Sequence, residues 1–165
     1  MLIKCLLFGL GLILYIRFIY TFLNFIESLF SSKKDVKLDE FPPKLSNQLI
    51  HQILDWCIIN IHLSKDRRVK PTLFISKRKK TDLLGSYQYY NKRITVYILK
   101  HSSVKELCDT IIHEYVHHLQ IRSSKDDIRY NRLTRQKSYW ENDFEVEARQ
   151  IATKFTNRCL KELNL

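Results

Sequence analysis

The sequence has no closely spaced pair of cysteines. Its four cysteines, Cys5, Cys57, Cys108 and Cys159, lie far apart along the chain and form no Cys-x-x-Cys motif. A disulfide-stapled scaffold or a cysteine-based zinc knuckle would need closer spacing, so both classes are disfavoured. The last three lie in apolar sequence with helical periodicity. We expect them to be buried free thiols in a reducing compartment.

Acidic residues are also few. The 165 residues include 28 lysines and arginines but only 17 aspartates and glutamates, which leaves a formal net charge of +11. Such a charge favours polyanionic partners, namely a membrane surface, nucleic acid or an acidic protein, although solubility alone is an alternative explanation. The basic residues cluster at 65–70, 77–80 and 122–137.

The longest apolar stretch is at the N-terminus. Residues 5–16 (CLLFGLGLILYI) are uniformly apolar, and after Arg17 the segment FIYTFLNFI continues to residue 26. A bilayer requires about 20 such residues, and one arginine costs about 3 kcal/mol on insertion scales. A cleavable signal peptide is one alternative, but no small-x-small cleavage site follows the apolar run. A helix that lies in the membrane interface is another, but its polar face would be almost empty. We therefore expect an uncleaved membrane anchor at 1–30 and a polar linker at 31–44.

Lysines flank this apolar segment unequally. Lys33, Lys34 and Lys37 follow it, whereas only Lys4 and the amino terminus precede it. The positive-inside rule then predicts a single-pass protein whose C-terminal domain is cytoplasmic. In that orientation the basic clusters would contact anionic lipid headgroups.

The remaining residues, 45–165, predict one small α+β domain. Apolar periodicity and turn signals predict one single strand, one β-hairpin and three helices. Ser103 and Glu106 form a capping box at the start of the middle helix, whereas the polar, basic stretch 123–138 has no clear period and is expected to be a loop. The predicted order is a helix at 45–62, a strand at 69–76, a hairpin at 83–99, a helix at 104–122, the loop and a helix at 140–163. A short sheet should pack on the middle helix.

The middle helix contains TIIHEYVHHL, residues 110–119. His113 and His117 are four residues apart, so their side chains project to the same side of a helix and can bind one zinc ion at about 2.1 Å. Glu114 lies about 100° around the helix, where it can reach a water without binding the metal. This is the arrangement of metal-assisted hydrolysis, in which the metal lowers the pKa of a water and a carboxylate takes its proton. The alternative is a helix whose solvent face carries histidines.

This stretch resembles the active-site helix of the zincin metallopeptidases. In that family a sheet precedes the helix and its edge strand binds an extended peptide, and the hairpin at 83–99 stands in the corresponding place. The resemblance covers roughly residues 69–160. It implies a zinc-dependent peptidase with a peptide or protein substrate, in which His113 and His117 bind zinc and Glu114 activates water.

A catalytic zinc normally has three protein ligands. No histidine follows His118, which counts against metzincins and SprT-like proteases, since both supply a downstream histidine. A carboxylate must then be the third ligand, and WENDFEVEARQIA offers Glu141, Glu145 and Glu147. On a helix Glu145 flanks the apolar face beside Ala152, Glu141 falls within that face, and Glu147 lies on the other flank, where a surface salt bridge would suffice.

The segment EVEA also resembles the ExxA(D/N) motif with which gluzincins supply their third ligand. That resemblance makes Glu145 the zinc ligand, and Arg149 stands where the family has Asp or Asn. We rank Glu145 first, Glu141 second and Glu147 third.

Three further residues near the motif have open roles. His118 points about 140° away from His113 on a helix, so we expect it to be packed or at the surface rather than on the metal. Tyr130 and Tyr139 are candidates to donate a hydrogen bond to a developing oxyanion, with a structural role as the alternative.

The sequence therefore predicts a membrane-anchored zinc metallopeptidase. The alternative is a non-catalytic, zinc-containing basic domain that binds anionic lipid, a partner protein or, as SprT-like proteases do, nucleic acid. The intact Glu114 argues against a non-catalytic site, and the expected anchor argues against nucleic acid.

Overall fold

The computed structural model describes residues 43–63, 69–78 and 82–165, except for the side chains of 43–46. All of them belong to the compact unit Asp35–Leu165. The expected anchor at 1–30 and nearly all of the linker lie outside the described residues. Within the described ranges, no helix has the length and apolar character needed to cross a membrane.

The described part is α+β, with four helices and a three-stranded sheet. We label the elements in chain order: α1 Pro43–Asn60, β1 Thr72–Ser76, β2 Gly85–Gln88, β3 Arg93–Tyr97, α2 Val104–Gln120, α3 Ser124–Gln136 and α4 Asp143–Glu162. A single 3₁₀ turn, Ile98–Lys100, follows β3. The α+β class, the hairpin and the three predicted helices are confirmed, with ends that shift by a few residues. Ser103 caps α2 as expected, accepting a hydrogen bond from the backbone N–H of Glu106.

The prediction of a loop at 123–138 is wrong, because α3 occupies most of it. Ser123 and Asp126 form a reciprocal capping box at its start. No residue of α3 is fully buried, so the helix adds no apolar face to the core, and its few apolar residues give only a weak signal in the sequence. It is held by its cap and by polar contacts with its neighbours, which periodicity cannot reveal.

The sheet has the order β1-β3-β2, with β1 parallel and β2 antiparallel to β3. Gly85 of β2 pairs with Val96, and Tyr87 pairs with Ile94. The N–H of Tyr97 donates to the carbonyl of Leu84, so by antiparallel alternation the backbone groups of Gly85 and Tyr87 face away from β3. The outer edge of β2 therefore presents these groups to other partners.

The core lies between the sheet, α1, α2 and α4, and α2 runs through its centre. Leu107, Ile111, Ile112 and Val116 of α2 are fully buried. Cys57, Cys108 and Cys159 are buried free thiols, as predicted. Burial raises the pKa of Cys57, and a hydrogen bond with Cys159 raises that of Cys108, so both thiols stay protonated near neutral pH.

Helix α4 packs closely on α2, since Ala148 and Ala152 are both fully buried. Its first turn is fixed by Asn142, which is also fully buried. The Asn142 side chain accepts a hydrogen bond from the N–H of Phe144 and donates one to Thr134 of α3, each at 3.1 Å. This residue therefore caps α4 and holds α3 beside its start.

Candidate metal centre

Helices α2 and α4 bring two imidazoles and one carboxylate together. Nε2 of His113 lies 3.1 Å from Oε2 of Glu145, and Nε2 of His117 lies 3.4 Å from Oε1 of the same carboxylate. The two Nε2 atoms are 3.0 Å apart. These three residues form the one group of His, Cys, Asp or Glu side chains in the described part of the chain that is arranged to hold a metal ion.

The three side chains lie inside the protein. Exposed fractions are 13 % for His113, 5 % for His117 and 4 % for Glu145. The alternative of a helix that carries its histidines on a solvent face is therefore wrong. Buried polar groups require partners, and these three residues provide them for one another.

The spacing of the ligand atoms fits a metal ion. Tetrahedral zinc with bonds of about 2.1 Å separates neighbouring ligand atoms by about 3.4 Å, and octahedral coordination at that bond length separates them by about 3.0 Å. The observed separations of 3.0, 3.1 and 3.4 Å cover this range. The group can therefore close around an ion with small side-chain movements, and the distances alone do not select the metal.

The electrostatics of the group also favour a cation. Burial by itself would raise the pKa of Glu145, but hydrogen bonds with His113 and His117 outweigh it and hold that pKa far below its usual range. Burial would lower the pKa of His117, but its hydrogen bond to Glu145 and the charge of Glu114 outweigh it and raise that pKa. The carboxylate is therefore ionised and attracts positive charge to this position.

The other two candidate ligands do not join the group. Glu141 is exposed in the turn before α4, where its carboxylate accepts a hydrogen bond from Ser138 at 2.9 Å. Glu147 is also exposed and accepts one from Nε2 of Gln120 at 2.9 Å. The structure thus places Glu145, and neither of these glutamates, against the two histidines.

Glu114 lies beside the group but outside the set of candidate ligands. Its side chain is buried, and its carboxylate accepts a hydrogen bond from the backbone N–H of Tyr87. Burial raises the pKa of Glu114, while the neighbouring His117 and His113 oppose that shift. A buried carboxylate close to a metal position, but free of it, is suited to exchange protons with a water there.

Gly85 allows β2 to approach Glu114. A methyl group added at its α-carbon would lie 2.7 Å from Cγ2 of Thr110 and 2.8 Å from Cγ of Glu114. These distances are shorter than normal van der Waals contact. Only glycine lets this strand pass so near the carboxylate.

Gln120 orients one of the histidines, a role that the sequence analysis missed. Its Nε2 donates to the carbonyl of Phe144 at 3.0 Å and to Glu147, so its Oε1 turns towards His117 and lies 2.9 Å from Nδ1. This contact favours a proton on Nδ1 and leaves Nε2 for a metal. The available signal was its position three residues after His117 on the same helix.

Both candidate tyrosines lie near Glu145. The Tyr130 hydroxyl donates to Oε1 of Glu145 at 2.7 Å, and burial together with this hydrogen bond raises the pKa of Tyr130. Burial and the charge of Glu145 also raise the pKa of Tyr139. Arg149 holds the turn that carries Tyr139, since it donates to the carbonyls of Tyr139 and Trp140 and its guanidinium lies over both rings.

His118 is a packed histidine, as predicted. It is buried, and its Nδ1 lies 3.2 Å from the hydroxyl of Tyr87. It joins α2 to the edge strand β2 and is not part of the metal-binding group.

Comparisons of this chain with family models, curated proteins and solved structures find no match.

Replacing Gln120 should weaken metal binding. Gln120→Ala removes the acceptor at Nδ1 of His117, and losing such a partner typically lowers metal affinity 10- to 100-fold. Competition for Zn²⁺ against a chromophoric chelator measures this change, with exposed Gln150→Ala on α4 as the control. An affinity equal to that of the wild type in a folded Gln120→Ala variant would remove Gln120 from the metal centre.

Replacing Gly85 should destabilise the fold. Alanine in a strand normally gains about 0.5–1 kcal/mol over glycine, whereas overpacking costs about 1–3 kcal/mol. The stiff β-branched Thr110 cannot move away easily, so we expect Gly85→Ala to lower the free energy of unfolding in denaturant titrations. The neighbouring Ser86→Ala should have a smaller effect, and a stabilised Gly85→Ala variant would show that the close contact with Glu114 is absent.

Proposed function

We propose that this protein is a membrane-anchored, zinc-dependent metallopeptidase of the zincin type, with a gluzincin-like ligand set. The observation that carries the proposal is the convergence of His113, His117 and Glu145 in one buried group, with Glu114 beside it and free of it. A purely structural metal site has no use for that additional buried carboxylate.

Zinc is the proposed metal because of the donor types. Two neutral imidazoles and one carboxylate suit zinc and the later transition metals, whereas magnesium and calcium prefer oxygen ligands alone. Three protein ligands leave a position open, which is typical of catalytic and not of structural zinc sites. When bound, zinc would polarise the substrate carbonyl and lower the pKa of a water.

Glu114 is the proposed general base. It would accept a proton from the attacking water as the water oxygen bonds to the peptide carbonyl carbon. It would then deliver that proton to the leaving nitrogen as the C–N bond breaks, which yields an amine and a carboxylic acid, and the acid releases its own proton to water. The N–H of Tyr87 holds the Glu114 carboxylate in place for both steps.

Strand β2 is the proposed backbone contact for the substrate. This strand lies at an edge of the sheet. The carbonyls of Gly85 and Tyr87 face away from β3. An extended peptide can pair with such an edge. The packing of Gly85 on Glu114 would keep the paired peptide close to the base.

The proposal departs from the gluzincin pattern at Arg149. In that family Asp or Asn follows the alanine of the ExxA segment, whereas Arg149 here holds the turn at Tyr139 and Trp140. Oε1 of Gln120 instead accepts a hydrogen bond from Nδ1 of the proposed ligand His117. The proposal includes an anchor at residues 1–30 and a cytoplasmic domain, which rest on the apolar run and the lysines that follow it.

The Glu114→Gln variant tests the catalytic role. We expect full-length Glu114→Gln, purified in a neutral detergent, to bind zinc as the wild type does but to cleave peptides about 10²- to 10⁴-fold more slowly. The zinc-loaded protein is incubated with a proteome-derived peptide library, and mass spectrometry measures the cleaved peptides. The control is Glu141→Gln, which changes an exposed glutamate outside the group and should retain activity.

Two results would contradict the proposal. A Glu114→Gln variant as active as the wild type would exclude Glu114 as the base. A zinc-loaded wild-type protein that cleaves no peptide would favour the non-catalytic alternative, a zinc-containing basic domain that binds anionic lipid, a partner protein or nucleic acid.

A further inference from the structure

A groove of about 610 Å³ lies between α3 and the turn that follows β2. Tyr90 lines one side of the groove. The other side is lined by residues of α3, namely Asp127, Ile128, Asn131, Arg132, Arg135 and Gln136. Both walls continue elements that contact the candidate metal centre. Tyr130 of α3 donates a hydrogen bond to Glu145, and Gly85 at the start of β2 lies against Glu114. The groove therefore lies along two elements that also reach the candidate metal centre.

Two arginines give the groove positive charge. Arg132 and Arg135 line it, three residues apart on α3, and neither forms an ion pair or hydrogen bond with any residue in the described ranges. Asp127 is the one acidic residue among the lining side chains. Arginine binds carboxylates with paired hydrogen bonds, so these two guanidinium groups suit an acidic ligand.

Apolar surface lies beside the two arginines. The exposed fraction is 65 % for Ile128 and 85 % for Tyr90, and both line the groove. A surface that combines arginine with exposed aromatic and aliphatic side chains is typical of sites that bind peptides. The combination suits a segment that alternates acidic and apolar side chains.

We propose that this groove binds an acidic segment of the substrate polypeptide, on one side of the bond to be cleaved. Arg132 and Arg135 bind its aspartate or glutamate side chains, and Ile128 and Tyr90 contact its apolar side chains. The inference rests on the proposed peptidase function and adds to it a substrate class, namely proteins with an acidic segment next to the cleavage site.

The groove fits a peptide better than a nucleic acid. Nucleic-acid sites need many phosphate contacts and, for single strands, a series of aromatic rings on which bases stack. Among its described lining residues this groove has only two arginines and one exposed aromatic ring, which is too few for such a site. Its connection to the candidate peptidase site also favours a polypeptide.

The test is peptide binding without cleavage. Full-length, zinc-loaded Glu114→Gln in neutral detergent is titrated against a fluorescein-labelled peptide of alternating glutamate and leucine, and against the same peptide with glutamine for glutamate. We expect the acidic peptide to bind at least about tenfold more tightly. When Arg132→Glu and Arg135→Glu are both introduced into the Glu114→Gln variant, the difference in affinity between the two peptides should disappear.

A matched control separates the groove from the overall charge. Lys105→Glu with Lys154→Glu changes the net charge equally, at exposed lysines of α2 and α4 outside the groove. It should retain the preference for the acidic peptide. Three results would overturn the inference. The first is equal binding of both peptides, and the second is a loss of the acidic-peptide preference in the lysine control as large as in the arginine variant. The third is groove-dependent binding that favours a single-stranded oligonucleotide or phosphatidylserine vesicles over the acidic peptide.

Cleavage by the wild-type protein separates this inference from the proposed function. Cleaved peptides should carry aspartate or glutamate at fixed positions on one side of the new terminus, and the Arg132→Glu, Arg135→Glu variant should lose that enrichment. Cleavage without such enrichment would refute the acidic substrate class and leave the peptidase function standing. Binding of the acidic peptide with no cleavage of any peptide would refute the peptidase function instead.

Discussion

The close packing of α4 on α2 determines the rest of this site. Ala148 and Ala152 have no side chain beyond a methyl group and are fully buried against α2, which places the Glu145 carboxylate within 3.4 Å of both histidines. A buried carboxylate without partners would cost several kcal/mol. The two imidazoles and the Tyr130 hydroxyl reduce that cost, and a metal ion would remove most of what remains. Larger side chains at the two alanines would separate the helices and break the contacts between the Glu145 carboxylate and the two imidazoles.

Helix α3 has a different relation to the core. None of its residues is fully buried, and its ring contacts are those of Tyr130 with Phe144 and His117. Its position depends on the capping box at Ser123 and on the hydrogen bond between Thr134 and the buried Asn142. It nevertheless contributes Tyr130 to the metal centre and the arginines to the adjacent groove. A helix attached mainly by polar contacts can change its sequence with little cost to the core, which would suit the proposed contact with a substrate.

Local patterns in the sequence were sufficient for part of this structure. The α2 motif predicted the spacing of His113 and His117. Helical periodicity left three glutamates open as the third ligand, and the resemblance to the ExxA segment ranked Glu145 first; α4 is continuous from Asp143 and carries this residue. Glu141 was a weaker candidate than periodicity indicated, since Asn142 caps α4 and leaves Glu141 in the preceding turn. Sequence periodicity could not locate that cap.

The features that the sequence did not predict depend on contacts between distant segments. Helix α3 was missed because it adds no apolar face to the core. The need for glycine at position 85 appears only when β2 is placed against Thr110 and Glu114. The role of Gln120 depends on the carbonyl of Phe144, which turns its amide towards His117. None of these contacts leaves a repeat or spacing in a single sequence.

The central claim is that His113, His117 and Glu145 bind one zinc ion, and the most direct measurement is metal content. Mass spectrometry on the purified full-length protein should find one zinc per chain, lost in His113→Ala and Glu145→Gln and retained in Glu141→Gln. A folded wild-type protein that holds no zinc, even after reconstitution, would contradict the account. So would zinc that persists when Glu145 is replaced.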